Sequence, residues 1–304
     1  MRIQLFFNII RIHSIARLQK DEILKYYVVA DTHGYYNEMV EALTEKGYYA
    51  DTTPHKLIMC GDLFDRGSQN KEIEKFVLDL LDRDEVILIR GNHEDLLVSF
   101  VETLPSMGEL DIKYSHDQTN GTVDTVRQII GASMNKIVLY PDHVSKQMKQ
   151  SGVFTRILPA MRNYYETAKY IFVHGWIPSD ASGFGGRGLW FHYKSDWRED
   201  DAVGWAYARW YNGMLAAHQG DIEPGKTIVC GHWHASYGHA NFEEKGTEFG
   251  KDADFSPYYG EGIIALDACT IHSKKVNCIV IEDDELPDNQ PNKTEKEQQR
   301  TRED

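Results

Sequence analysis

Five short apolar runs in this chain each stop at a small cluster of residues able to hold a metal or a phosphate. Tyr26–Ala30 leads into Asp31-Thr32-His33-Gly34, and Leu57–Cys60 into Gly61-Asp62-Leu63-Phe64-Asp65-Arg66-Gly67. Val86–Ile89 is followed by Arg90-Gly91-Asn92-His93-Glu94, Tyr170–Val173 by His174-Gly175, and Thr227–Cys230 by Gly231-His232-Trp233-His234. Apolar runs this short, bounded by turn residues, read as strands buried on both faces. Helical spacing over Asn37–Lys46, Asn70–Arg83 and Glu94–Thr103 alternates with them, which points to α/β architecture. Further strands are expected near Gly262–Leu266 and Val276–Glu282. Ligand crevices in such sheets lie outside the carboxyl ends of the strands, so the five clusters are expected to meet in one place.

Counting the donors says what kind of place. If the segment after the first run stays extended, Asp31 and His33 point the same way and converge on one cation. Two carboxylates (Asp31, Asp62), one amide (Asn92) and up to four imidazoles (His33, His174, His232, His234) are too many for one tetrahedral ion. They suit two five- or six-coordinate ions bridged by Asp62. Nitrogen and oxygen donors without sulfur favour Mn, Fe, Zn or Co over Mg or Ca. Two divalent cations against two carboxylates leave a positive centre, before Arg66 is counted. Such a centre attracts a phosphate dianion and can hold a bridging hydroxide as nucleophile. Each cluster alone has an ordinary structural explanation; five in sequence, each directly after a strand, are hard to obtain by accident.

These motifs resemble the five blocks of the calcineurin-like metallophosphoesterases. The Gly-Asp-x-x-Asp-Arg-Gly block with Gly-Asn-His-Glu is similar to the phosphoprotein phosphatase branch and its bacterial and phage relatives, which include diadenosine tetraphosphatases. The resemblance implies an α/β fold of two mixed β-sheets packed as a sandwich and flanked by helices, with a dimetal site at one rim. It implies Asp31, His33 and Asp62 as ligands of the first metal, and Asp62, Asn92, His174 and His232 as ligands of the second. His93 matches the general acid, Asp65 the carboxylate that orients it, and Arg66 a phosphate-clamping arginine. His234 matches a first-metal ligand of the wider superfamily, a residue that most protein phosphatases lack. The implied cofactors are two divalent transition-metal ions, manganese foremost, with Fe, Zn or Co as alternatives. Ala30 departs from the family in replacing a glycine. The Ser-Ala-Pro-Asn-Tyr block of eukaryotic members is absent, and Ile264–Thr270 resembles the bacterial counterpart instead.

The second phosphate arginine has no fixed motif. Arg209, among the aromatics of Tyr207-Ala208-Arg209-Trp210-Tyr211, is preferred over Arg187; cation–π packing is its ordinary alternative. Both arginines fall in residues 179–225, which read as an insertion rich in Trp, Gly and acid, with a helix around Asp201–Ala217. Residues 104–168 are polar, mixed and expected to be helical and capping.

The catalytic domain is expected over 25–282, between an N-terminal extension at 1–24 and a disordered acidic tail at 283–304. With 47 acidic against 33 basic residues and a formal net charge of −14, the chain is unsuited to duplex nucleic acid. No apolar run approaches the ~20 residues of a membrane span. Cys60, Cys230, Cys269 and Cys278 form no CxxC pair, and a reducing cytoplasm is the natural compartment. The expected substrate is a phosphoprotein or a small phosphate ester, with Ser/Thr protein phosphatase as the leading activity. A dinucleoside polyphosphate or cyclic-nucleotide hydrolase is the alternative; it would need aromatic stacking, for which Trp176, Trp190 and Trp233 are available. A binding module that has lost its chemistry is disfavoured, because every expected ligand and His93 are present.

Overall fold

The computed structural model describes residues 24–182 and 189–284. The N-terminal extension and acidic tail expected from the sequence, and Arg187, lie outside the described residues, save for the residues at their inner borders. The strands are β1 (Leu24–Val29), β2 (His55–Cys60), β3 (Val86–Ile89), β4 (Tyr165–Glu166), β5 (Tyr170–Phe172), β6 (Asp180–Ser182), β7 (Trp190–His192), β8 (Thr227–Cys230), β9 (Tyr258–Gly260), β10 (Ile263–Ala265) and β11 (Cys278–Asp283). They form a four-stranded sheet in the order β11-β1-β2-β3, a five-stranded sheet in the order β4-β5-β8-β10-β9, and a separate β6-β7 hairpin. In both large sheets the inner strands run parallel and an antiparallel strand closes an edge.

The continuous apolar runs are explained by three cores. In β1 to β3, Tyr27, Val29, Leu57, Met59, Val86 and Leu88 face an outer core shared with the helices Tyr36–Glu45, Asn70–Asp82 and Asn92–Thr103. Their neighbours Tyr26, Val28, Ile58, Cys60, Ile87 and Ile89 face inward, against Phe172 and Val229 of the other sheet. Ile171, Ile228, Cys230 and Ile263 then face a third core, closed by Trp176, Trp197 and Trp205. Side chains alternate across a strand, so a strand between two cores must be apolar on both sides. The result is the expected sandwich of two mixed sheets flanked by helices.

Register aligns the strand ends. Val29 lies beside Met59 and Cys60 beside Ile89; Phe172 lies beside Val229 and Cys230 beside Ala265. The loops after β1, β2 and β3 therefore leave at the same rim as those after β5, β8 and β10.

Two parts of the chain differ from the sequence reading. The single helix expected around Asp201–Ala217 is two, Ala202–Ala208 and Gly213–His218. Asn212 separates them: its side chain accepts the Leu215 N–H at 3.1 Å and starts the second helix, as a short polar side chain at an N-cap does. Residues 104–168 are helical as expected, in short pieces that include Thr122–Ile130, but they end in β4, which their polar pattern conceals.

Candidate active site

The strand-end loops bend sharply instead of staying extended. Asp31, His33, Asp62, Asp65, Arg66 and His232 have φ of 51°, 45°, 53°, 73°, 60° and 65°. The left-handed region costs a side-chain-bearing residue roughly 1–2 kcal/mol, and such strain persists only where the surroundings enforce it. Here backbone hydrogen bonds lock the first two loops together: His33 N–H to the Asp62 carbonyl at 3.0 Å, Gly34 N–H to Leu63 at 2.9 Å, and Gly67 N–H to His33 at 2.8 Å. The extended-segment argument for Asp31 and His33 thus fails in its premise, and paired turns do the gathering. Two glycines allow the close approach. At Gly61 (φ 84°) a Cβ would sit 2.7 Å from the Gly91 Cα and the His174 Nδ1, and at Gly231 it would overlap the Asp31 carboxylate.

Asp62 stands at the centre. Among the described residues, ligand atoms of His33, Asp62 and His93 lie within 4.8 Å of one another, and so do those of Asp62, His174 and His232. Each of three imidazoles is pinned through one ring nitrogen by a backbone carbonyl. His33 Nδ1 donates to Phe64 at 2.9 Å, which aims Nε2 at Asp62 Oδ2, 3.6 Å away. His174 Nδ1 donates to Cys60 at 2.8 Å, which leaves Nε2 facing Asn92 Oδ1 at 2.8 Å and Asp62 Oδ1 at 3.3 Å. The His232 ring is bonded to the Trp210 backbone. Backbone pinning of this kind fixes tautomer and orientation in metal-binding histidines. In neutral His174 the bare Nε2 faces an amide oxygen and a carboxylate, three lone pairs turned toward one another that a divalent cation would satisfy, so the donor set fits divalent metals.

The charges agree. Burial raises the Asp62 pKa, but the His174 and His93 imidazoles more than offset this and hold it well below the carboxylate range. Asp31 is driven well above that range by burial and by the neighbouring Asp267 and Asp62 charges; its carboxylate accepts the His232 backbone N–H at 3.0 Å. Burial takes His232 down to about 3 and pushes His33 well below the ordinary histidine value. Burial also lowers His174, but the Asp62 charge outweighs it and the net shift is upward.

His93 has a second partner. Its Nδ1 bonds Asp65 Oδ2 at 2.8 Å, and its Nε2 lies 3.9 Å from Asp62 Oδ2 and 3.2 Å from an Arg66 terminal nitrogen. Burial lowers its pKa; the Asp62 charge and the Asp65 bond exceed that effect, and the net shift is upward. Arg66 is exposed beside this pair.

Asp31, expected beside His33 and Asp62, is in neither cluster, and His93 stands with those two instead. Two further expected residues lie elsewhere. His234 is outside both clusters, its Nε2 on Glu248 at 2.9 Å and its ring 4.6 Å from Phe249. The left-handed turn at His232 removes the alternation that would put both histidines on one face. The Arg209 guanidinium is buried, with Nε on Asp95 at 2.6 Å and Nη1 on Asn163 at 3.0 Å; Arg90 holds the other oxygen of Asp95 at 2.7 Å. Arg209 anchors the segment whose next residue, Trp210, orients His232. Of the tryptophans offered for stacking, Trp176 is buried on Asp221. Trp233 lies with its ring 6.0 Å from His232, and Trp210, which the sequence reading did not offer, is 47% exposed with its ring 5.7 Å from the same histidine.

Sequence reasoning assigned no role to Glu94 or Asp267. Glu94 accepts the backbone N–H groups of Gly91, Asp62 and Leu63 at 2.8, 3.0 and 2.9 Å and so ties the β2 loop to the start of the next helix. Burial and the Asp62 charge push its pKa up to about 7. Its place three residues after Gly91 is a capping-box signal available in the sequence. Asp267, buried after β10, announces itself by no spacing.

Residues 24–236 match the calcineurin-like phosphoesterase family. The chain belongs to that family. It is 24% identical over 225 residues to serine/threonine-protein phosphatase 2 of Salmonella typhimurium, spanning 73% of this chain and 85% of that one. It is 32% identical over 88 residues to the asymmetrical bis(5'-nucleosyl)-tetraphosphatase PrpE of Bacillus velezensis, which covers 27% of this chain and 35% of that relative, about a third of its length. Among solved structures, a cold-active protein-tyrosine phosphatase of a psychrophilic Shewanella aligns at TM-score 0.45 with 19% identity, covering 86% of this chain and 76% of that one.

Proposed function

We propose that this enzyme is a phosphomonoesterase of the Ser/Thr protein phosphatase kind that works with two divalent metals, manganese foremost. The observation that carries this reading is the set of backbone-pinned imidazoles around Asp62, with the His93–Asp65 pair beside it. Asp31, His33 and Asp62 would hold one ion, and Asp62, Asn92, His174 and His232 the other. Bound there, the ions would neutralise the phosphate and supply a nucleophile from water. Arg66, exposed at the same edge, donates to the phosphate oxygens, as a guanidinium does. His93 delivers a proton through Nε2 to the leaving oxygen while Asp65 holds Nδ1.

A dinucleoside polyphosphate hydrolase is the second reading. The exposed Trp210 ring beside His232 favours it, since a base could stack there. A cytoplasmic setting suits either substrate; no described helix is long and apolar enough to cross a membrane. The test is a side-by-side assay of a phosphoserine peptide, p-nitrophenyl phosphate and diadenosine tetraphosphate after chelation and reconstitution with Mn²⁺. Turnover of the peptide supports the first reading, and turnover of the dinucleotide alone replaces it with the second. Full activity in excess chelator with only Ca²⁺ present overturns the metal assignment.

A further inference from the structure

The carboxylate that holds His93 is itself held, by two threonines from a part of the chain that carries no phosphoesterase motif. Thr122 Oγ1 donates to Asp65 Oδ2 at 2.7 Å, the same oxygen that takes His93 Nδ1 at 2.8 Å. Thr125 Oγ1 donates to Asp65 Oδ1 at 2.7 Å and accepts the Asp65 backbone N–H at 3.0 Å. Asp65, Thr122 and Thr125 have no exposed surface. Three donors thus fix both oxygens of the carboxylate. A hydroxyl has one proton to give; the Asp65 carboxylate at 2.7 Å is a nearer acceptor for it than the Gly121 carbonyl at 3.2 Å, so Thr125 holds Asp65 at side chain and main chain together.

The contact is part of a face. Thr122, Thr125 and Gln128 follow at intervals of three along the helix Thr122–Ile130, so they lie on one side of it. Gln128 accepts the Asn70 N–H at 2.8 Å and donates to the Gly67 carbonyl at 3.1 Å. Asn120, two residues before this helix and the last of the short helix His116–Asn120, accepts the Arg66 N–H at 3.2 Å through its carbonyl. Asp65, Gly67 and Asn70 of the loop are therefore all tied to the one helix Thr122–Ile130, on either side of the phosphate-facing arginine.

We propose that Thr122 and Thr125 are positioning residues for proton delivery: they set the Asp65 carboxylate, and through it the Nε2 of His93, toward the leaving oxygen. This rests on the acid role of His93 proposed above. Without the Thr125 hydroxyl the Oδ1 end of Asp65 is freed to turn about the Oδ2 contact with Thr122, and the imidazole direction loosens with it, which matters in proportion to how much the leaving group needs a proton.

The experiment compares kcat on a phosphoserine peptide, whose alkoxide leaves poorly, with kcat on p-nitrophenyl phosphate, whose phenolate leaves without help. Wild type, Thr125→Val, Thr125→Ser, Thr122→Val and His93→Asn are assayed as Mn²⁺-loaded enzymes. The ratio of the two rates cancels any difference in folded fraction. Thr125→Val should lower the peptide rate about tenfold more than the nitrophenyl rate, part of the ~10²–10⁴-fold that a general acid supplies. Thr122→Val should act in the same direction, and Thr125→Ser should restore most of the ratio. An unchanged ratio in Thr125→Val, with His93→Asn selective for the peptide, overturns the threonine role alone. An unchanged ratio in His93→Asn as well overturns the acid role and the threonine role with it.

Discussion

His33 and His174 face the same carboxylate from opposite sheets, and they are held there in different ways. On the side of the first sheet, residues 31–34 and 61–67 form two left-handed loops joined by backbone hydrogen bonds, and Glu94 ties the second loop to the helix that follows. This side is shaped chiefly by residues 31 to 94 and the Thr122–Ile130 helix, with Asp31 held in addition by the His232 N–H and the Thr270 hydroxyl. On the side of the second sheet, His174 follows β5 directly, but the ring of His232 depends on the Trp210 backbone. Trp210 belongs to the insertion, and the insertion is anchored by Arg209 on Asp95 and Asn163 and by Arg198 on Glu166. One half of the site is stiffened locally and the other is held through a peripheral segment. Faults in the first should therefore damage the chemistry, and faults in the second should loosen a metal before they damage anything else.

The largest effect is expected at His93, on the stiff side. His93→Asn should lower kcat for a phosphoserine peptide by ~10²–10⁴-fold, with a smaller loss on p-nitrophenyl phosphate and metal content near wild type by elemental analysis. A loss of one metal equivalent would make His93 a ligand and dissolve the distinction between the two sides.

Glu94→Gln comes next. An amide cannot accept from three backbone N–H groups as a carboxylate does, and each buried donor left unpaired costs about 1–3 kcal/mol. Urea unfolding should show a stability loss of that order, with kcat reduced at full metal loading. Unchanged stability would mean that backbone pairing alone holds the two loops.

Arg209→Ala tests the other side. The sequence reading assigns this residue to phosphate; its buried pairing with Asp95 and Asn163 predicts a structural outcome instead. Melting temperature should fall by several degrees, consistent with the ~1.5–3 kcal/mol of charged hydrogen bonds removed. Calorimetric titration with Mn²⁺ should show one of two sites weakened. A rise in KM at unchanged melting temperature and metal affinity would restore the phosphate role and remove the anchor.

The smallest effect is acid sensitivity of the insertion. Burial raises the Glu166 pKa, but the hydrogen bonds from Arg198 and Lys226 exceed that and depress it; Glu223 behaves alike through Tyr193, Trp197 and Arg198. A depressed carboxylate contributes its stability above the unfolded value of about 4.3, and loses it as pH falls through the folded value. Urea midpoints measured from pH 7 down to 3 should decline below about pH 4.5, and Arg198→Gln should flatten that decline. An equally steep decline in the variant would place the acid-labile groups elsewhere.

The strand runs were legible because β1 to β3, β5 and β8 each lie between two cores, which makes them apolar on both faces. The strand-end motifs were legible because parallel strands in register must deliver their ends to one rim. Glu94 was visible as a cap, though its three-way bond was not. Helix breaks were less legible: nothing in the local pattern from Asp201 to Ala217 outweighs the helical spacing, and Asn212 reads as a cap only once the chain is seen to stop there.

By itself, then, the sequence determined that His33, His93, His174 and His232 come together around Asp62, since their places follow from strand ends and short-range order. The tertiary structure decided their directions. Left-handed backbone at six positions of the strand-end loops abolishes the alternation from which side-chain direction is read, and this turns His234 away toward Glu248. Partners far apart in sequence decided the rest: Thr125 lies 60 residues from Asp65 and Asp95 lies 114 from Arg209. No local pattern encodes such pairs, because they form only when the packing of whole helices and sheets brings their hydrogen-bonding groups together out of water.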